Sequence, residues 1–89
     1  MNQFEIESTI LAQCRIPGAG KTICPTDAAK TCAADCSETG LAWQHWLPPV
    51  RRAAIAMALR GELIIYRKGK PADPNDFRGV YRLGLPRLD

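Results

Sequence analysis

Two adjacent prolines, Pro48 and Pro49, constrain this chain more than any other local feature. Leu47 and Pro48 each precede a proline and are therefore biased away from helical backbone. Proline is tolerated in the first turn of a helix, where its missing N–H has no partner in any case. The spacing predicts a helix beginning at Pro48 or Pro49, running to Arg60, and stopping at Gly61. Wound at 100° per residue, that helix gathers Val50, Ala53, Ala54 and Met57 on one face. Arg52, Ile55, Ala56 and Leu59 fall on the opposite face.

The flanking segments follow from similar punctuation. Ile6, Ile10 and Cys14 recur every four residues with Leu11 beside them, which predicts a first helix from about Gln3 to Cys14. Pro17 to Gly20 breaks it. Lys21 to Cys24 is a short extended segment, and a second helix starts with Cys24 as N-cap and Pro25 in its first position. Asp27 favours the positive end of that helix. Ala28, Ala29, Cys32 and Ala33 form a small-residue face suited to close packing. Asp35 to Gly40 is a polar turn, and Trp43 to Trp46 a helical turn whose indoles serve the core rather than stack on bases.

Beyond Gly61, Glu62 to Arg67 is rich in strand formers, and Gly69 to Arg78 reads as a loop. Gly79 to Leu85 alternates, with Tyr81, Leu83 and Leu85 on one face and Val80 and Arg82 on the other. Three helices, a short strand and a C-terminal β-hairpin wing make an α+β winged helix-turn-helix. Eighty-nine residues hold one such domain, 1–89. A chain of this size buries only about 60–65% of its unfolded surface, so its core is small.

Several function classes are set aside on the residues. Gly18-Ala19-Gly20-Lys21-Thr22 imitates a phosphate-binding loop, but Arg15 stands where the first glycine belongs, and a helix precedes the loop instead of a strand. Cys14, Cys24, Cys32 and Cys36 form no CxxC pair, and Cys32, Cys36 and His45 have no specific ligand spacing. No metal or other cofactor is expected. No serine–histidine–acid arrangement is visible, and Cys24 is read as a capping thiol, so the chain is not expected to be an enzyme. The N-terminus lacks a basic flank and apolar stretch, and no run approaches a membrane span of about 20 residues. A cytoplasmic protein with free thiols and no membrane partner is expected.

The residues also resemble a family of small bacterial proteins, domain of unknown function 3253. The resemblance rests on Lys21-Thr22-Ile23-Cys24-Pro25, Trp43, Pro49-Val50-Arg51, Gly61, Gly69-Lys70, Asp73-Pro74 and Arg78-Gly79-Val80-Tyr81-Arg82. It implies a winged-helix fold and no particular activity. Similar sequences often carry arginine where this chain has Gln44, and more charge on the outer face of the third helix.

Charge supplies the functional expectation. Residues 1–46 carry a net −2 and residues 47–89 a net +5. A basic half suits a polyanion, so double-stranded DNA is the expected partner. In winged helices the third helix enters the major groove and the wing follows the backbone. The candidate contacts are Arg51, Arg52, Lys68, Lys70, Arg78, Arg82 and Gln44, with Arg67 and His45 nearby. Asp73 or Asp76 is expected to pair with Arg78 or Arg82 and stiffen the wing. The alternative is a protein interaction module, a homodimer through Ile55 and Leu59.

Overall fold

The computed structural model describes residues 1–18 and 20–86; Ala19 of the glycine-rich loop and residues 87–89 lie outside the described residues. The elements are α1 (Gln3–Arg15), β1 (Thr22–Ile23), α2 (Pro25–Asp35), a 3-10 turn (Ala42–Trp46), α3 (Leu47–Leu59), β2 (Ile64–Arg67), β3 (Lys70–Pro71) and β4 (Arg82–Gly84). The three helices and a four-stranded antiparallel sheet form an α+β fold compatible with a winged-helix arrangement. Among the described residues, no helix is long and apolar enough to cross a membrane.

Each helix ends where its local chemistry dictates. Asn2 caps α1 by accepting the Glu5 backbone N–H at 2.9 Å. At the start of α2, the Asp27 carboxylate accepts from the Cys24 backbone N–H at 3.2 Å. α3 begins at Leu47, one or two residues before the predicted start, and ends at Leu59, one before the predicted end. Leu47 is helical in spite of the proline that follows because the preceding 3-10 turn feeds directly into it and its side chain packs on the core. Gly61, with φ +80°, closes α3 while the Glu62 N–H reaches the Met57 carbonyl at 2.9 Å. α2 closes in the same way, with Ser37 at φ +60° in place of glycine.

The predicted stripe on α3 is buried in full: Val50, Ala53, Ala54 and Met57 are each 0% exposed. They meet Ile6, Ile10 and Cys14 of α1 and Ala28, Ala29 and Cys32 of α2 in one core cluster. Alanines at these positions let the backbones approach closely. Burial pushes the Cys14 thiol up to about 11, and raises that of Cys32 as well, with Asp35 adding to the effect. On the outer side Ile55 departs from expectation: it is half-buried and packs against the core, whereas Leu59 is exposed.

The sheet has the order β1-β4-β2-β3. Leu83 of β4 sits between Ile23 of β1 and Ile65 of β2, and all three are buried. This apolar row is the sheet's contribution to the core. β3 was not expected. It arises because Lys68 and Gly69, at φ +52° and +80°, make a two-residue hairpin turn that folds Lys70 back onto Arg67. Pro71 lacks an N–H and stands on the edge strand, where none is required, and the Ala72 N–H continues the pairing to the Ile65 carbonyl at 2.8 Å.

Gly84 is buried on the other face of the sheet, paired with both Thr22 and Ile64. A Cβ there would lie 3.1 Å from the Lys21 carbonyl oxygen and 3.1 Å from the Tyr66 ring. The ring can turn aside, but the carbonyl belongs to the backbone entering β1. Gly84→Ala is therefore expected to destabilise the fold by about 1–3 kcal/mol through overpacking. Urea denaturation of both proteins measures the difference.

Candidate nucleic-acid interface

The basic residues separate into two groups, those that hold the fold together and those left at the surface. Arg51, on the first turn of α3, belongs to the first group. Its Nη2 donates to the Phe77 carbonyl at 3.0 Å, and its Cζ lies 4.0 Å above the centre of the Phe77 ring. Tyr81 stands edge-on to Phe77 at 5.2 Å and contacts the same guanidinium. A cation over an aromatic face is worth about 0.5–2 kcal/mol, with the carbonyl bond in addition. Arg51 thereby fastens α3 to the loop that leads into β4. Burial raises the Tyr81 phenol above its ordinary value, against a smaller opposing effect of Arg51.

Arg52 points elsewhere. It lines a shallow depression with Met1, Gln3, Ile6, Trp46 and Pro49, at the N-terminal end of α1. The two neighbouring arginines thus diverge, and α3 does not present them side by side. Its exposed positions are Pro48, Arg52 and Leu59, and Arg60, at its C-cap, is exposed as well. Arg60 is engaged by Glu7 of α1 and by Glu62. Its hydrogen bonds hold the Glu7 carboxyl below the usual carboxylate range. Gln44 and His45 are exposed on the 3-10 turn. Trp43 and Trp46 beside them pack against the core, with Trp46 Nε1 donating to Glu38 at 2.7 Å.

Of the candidate contacts, Lys68, Lys70 and Arg82 stand on the wing with Arg67, while Arg15, Lys21 and Lys30 lie elsewhere, on α1, before β1 and on α2. A cleft of about 500 Å³ is walled by Thr22, Tyr66, Arg67, Lys68, Gly69, Val80, Tyr81 and Arg82. Three of these residues are cationic, and no carboxylate stands among them. Arg82 is held by Thr22: Nε donates to Oγ1 at 2.6 Å and Nη2 to the carbonyl at 3.0 Å. Arg67 Nη1 donates to the Val80 carbonyl at 2.6 Å. Each guanidinium has five N–H donors, so both retain donors for a ligand after these bonds. Their bonds orient them without neutralising them.

The expected pairing of Asp73 or Asp76 with Arg78 or Arg82 does not form. The Asp73 carboxylate accepts the Asn75 backbone N–H at 2.9 Å and shapes its own turn, while Arg82 crosses to β1. Among the described residues, ion pairs are confined to Arg60 with Glu7 and Glu62. Arg78 is exposed in the loop before β4, and Lys70 is exposed directly across from Arg67. Like charges at opposed strand positions are mildly destabilising. Thr22 is the positioning residue that sequence reasoning missed, because its partner lies 60 residues away.

Lys68 adds a second local cost. Its φ of +52° lies in the left-handed region, which asparagine and glycine occupy more readily than lysine. Strain of this kind concentrates at functional positions. Lys68→Asn is expected to stabilise the protein by about 0.5–1 kcal/mol, since asparagine suits the first position of this turn. The same substitution should weaken any polyanion binding by removing a charge. Thermal unfolding together with a binding titration checks both signs.

The family described as Protein of unknown function (DUF3253) matches residues 3–86. No curated protein matches the chain.

Proposed function

We propose, from the premise that this chain belongs to the DUF3253 family of unknown function, that it is a binding module for double-stranded DNA whose wing carries the contact. The observation that supports this reading is the wing's cationic surface. Arg67, Lys68 and Arg82 line one cleft, Lys70 flanks it, and none of them has a carboxylate partner among the described residues. A phosphate backbone would relieve the repulsion between Arg67 and Lys70 and use the donors that Arg67 and Arg82 retain. The role of α3 is smaller than the general winged-helix pattern implies. Arg52 is the one cation on its exposed face beyond the Arg60 cluster, one N–H of Arg51 is taken by the Phe77 carbonyl, and Gln44 does not line the basic cleft. Contact through phosphates with little base readout is the expected mode.

Binding of a duplex should therefore be weak, nearly independent of sequence and steeply dependent on salt. With three or four phosphates neutralised, the logarithm of the binding constant should fall against the logarithm of salt with a slope of roughly −3. Lys68→Glu combined with Lys70→Glu should reduce affinity at least tenfold at low salt, whereas Arg52→Ala should change it little. Fluorescence anisotropy with a labelled duplex measures all three. A flat salt dependence, or equal binding by the double variant, would refute the reading.

A second reading, self-association through α3, draws support from Leu59, which is 58% exposed beside half-buried Ala56. Ile55 is already packed against the chain's own core, so the self-associating strip narrows to Leu59 and its exposed neighbours. Leu59→Asp should then shift a dimer to monomer in analytical ultracentrifugation, and a wild type that is monomeric at high concentration eliminates this reading.

A further inference from the structure

A second cleft, of about 570 Å³, opens where the first turns of α2 and α3 approach the segment leading into β4. Pro25, Leu47, Pro48 and Val80 give it apolar walls, and Tyr81 supplies an aromatic one. Cys24 and Thr26 contribute a thiol and a hydroxyl. The volume falls within the range of small-ligand sites, about 300–1,000 Å³, and an apolar lining with few polar groups is their usual chemistry. Among the residues that line it, Arg51 alone is charged.

The state of Arg51 selects the ligand. It is half-buried, so its charge is less screened than that of a surface lysine. One N–H is committed to the Phe77 carbonyl, which fixes the guanidinium and leaves other donors available. Ion pairs among the described residues do not include it. A cationic ligand would be repelled. A compact inorganic anion would leave the walls formed by Leu47, Pro48 and Val80 without contact. A planar carboxylate matches a single guanidinium fork in geometry and in charge, whereas a phosphate dianion would leave one charge uncompensated in a cleft where Arg51 alone is charged.

We propose that this cleft binds a small molecule joining an apolar body to one carboxylate, with the body against Pro25, Leu47, Pro48 and Val80 and the carboxylate at Arg51. The positive ends of α2 and α3 act in the same direction. Val80 and Tyr81 wall both this cleft and the basic one, so an occupant would bear directly on the wing. The inference stands whether or not the wing meets DNA.

The test uses the full chain, labelled with ¹⁵N, and two probes of matched shape: 4-phenylbutyrate and its neutral analogue 4-phenylbutan-1-ol. The carboxylate should produce saturable shifts in the amides of Thr26, Arg51, Val80 and Tyr81. It should also slow alkylation of Cys24 while leaving Cys36, which is exposed at the end of α2, unaffected. The alcohol should bind about tenfold more weakly, the difference expected for one charge-assisted hydrogen bond. Val80→Asp, at a position 81% exposed on the rim, should weaken the carboxylate by a similar factor with an unchanged circular dichroism spectrum. The proposal is overturned by shifts that do not saturate or map elsewhere. It is equally overturned by equal affinity for the two probes in the wild type, a comparison that requires no variant to fold.

Discussion

The burial of α3 governs the rest of this structure. Val50, Ala53, Ala54 and Met57 are closed off from solvent, and α1, α2, the 3-10 turn and β2 all touch the helix that carries them. A chain of this length has a single small core, and its central helix must serve that core around most of its circumference. Little of α3 remains exposed: Pro48, Arg52 and Leu59. Cations without a carboxylate partner among the described residues stand instead on the wing, at Arg67, Lys68, Lys70 and Arg82.

Arg51 illustrates how one side chain is drawn from surface chemistry into architecture. An arginine in the first turn of a helix faces the positive end of the dipole and is mildly disfavoured there. The Phe77 carbonyl and ring, with Tyr81 beside them, offset that penalty. The result joins the helical layer to the loop before β4, so wing and core are coupled through one guanidinium. Arg82 and Thr22 make the corresponding link between the last strand and the first. Both arginines hold the fold, and neither is paired with a carboxylate among the described residues.

The helices were legible because their boundaries are written in local chemistry. Proline at 25, glycine at 61 and the fourfold spacing of Ile6, Ile10 and Cys14 each act within a few residues, and the backbone obeys them, whereas α3 starts at Leu47, ahead of the proline pair at 48–49. The alternation of Leu83 and Arg82 was legible for the same reason. The basic character of the C-terminal half was also plain in the sequence, since charge needs no partner to be counted.

Pairing and direction were decided only by the tertiary structure. Strand β3 comes from a lysine held at positive φ, which composition does not announce. Thr22 meets Arg82 because β1 and β4 are neighbours in the sheet, a contact no local pattern encodes. Arg51 and Arg52 are adjacent in sequence yet face a cleft at the wing and a depression at α1, because successive residues on a helix differ by about 100°. Asp73 turned to its own backbone, since a hydrogen bond two residues away requires less chain ordering than an ion pair across a loop. The sequence by itself determined which segments are helices, which stripes of those helices face the core and where the charge lies along the chain. Only the folded chain decided which of those charges hold the structure and which remain open to a partner, because that choice depends on groups brought together across as many as 60 residues.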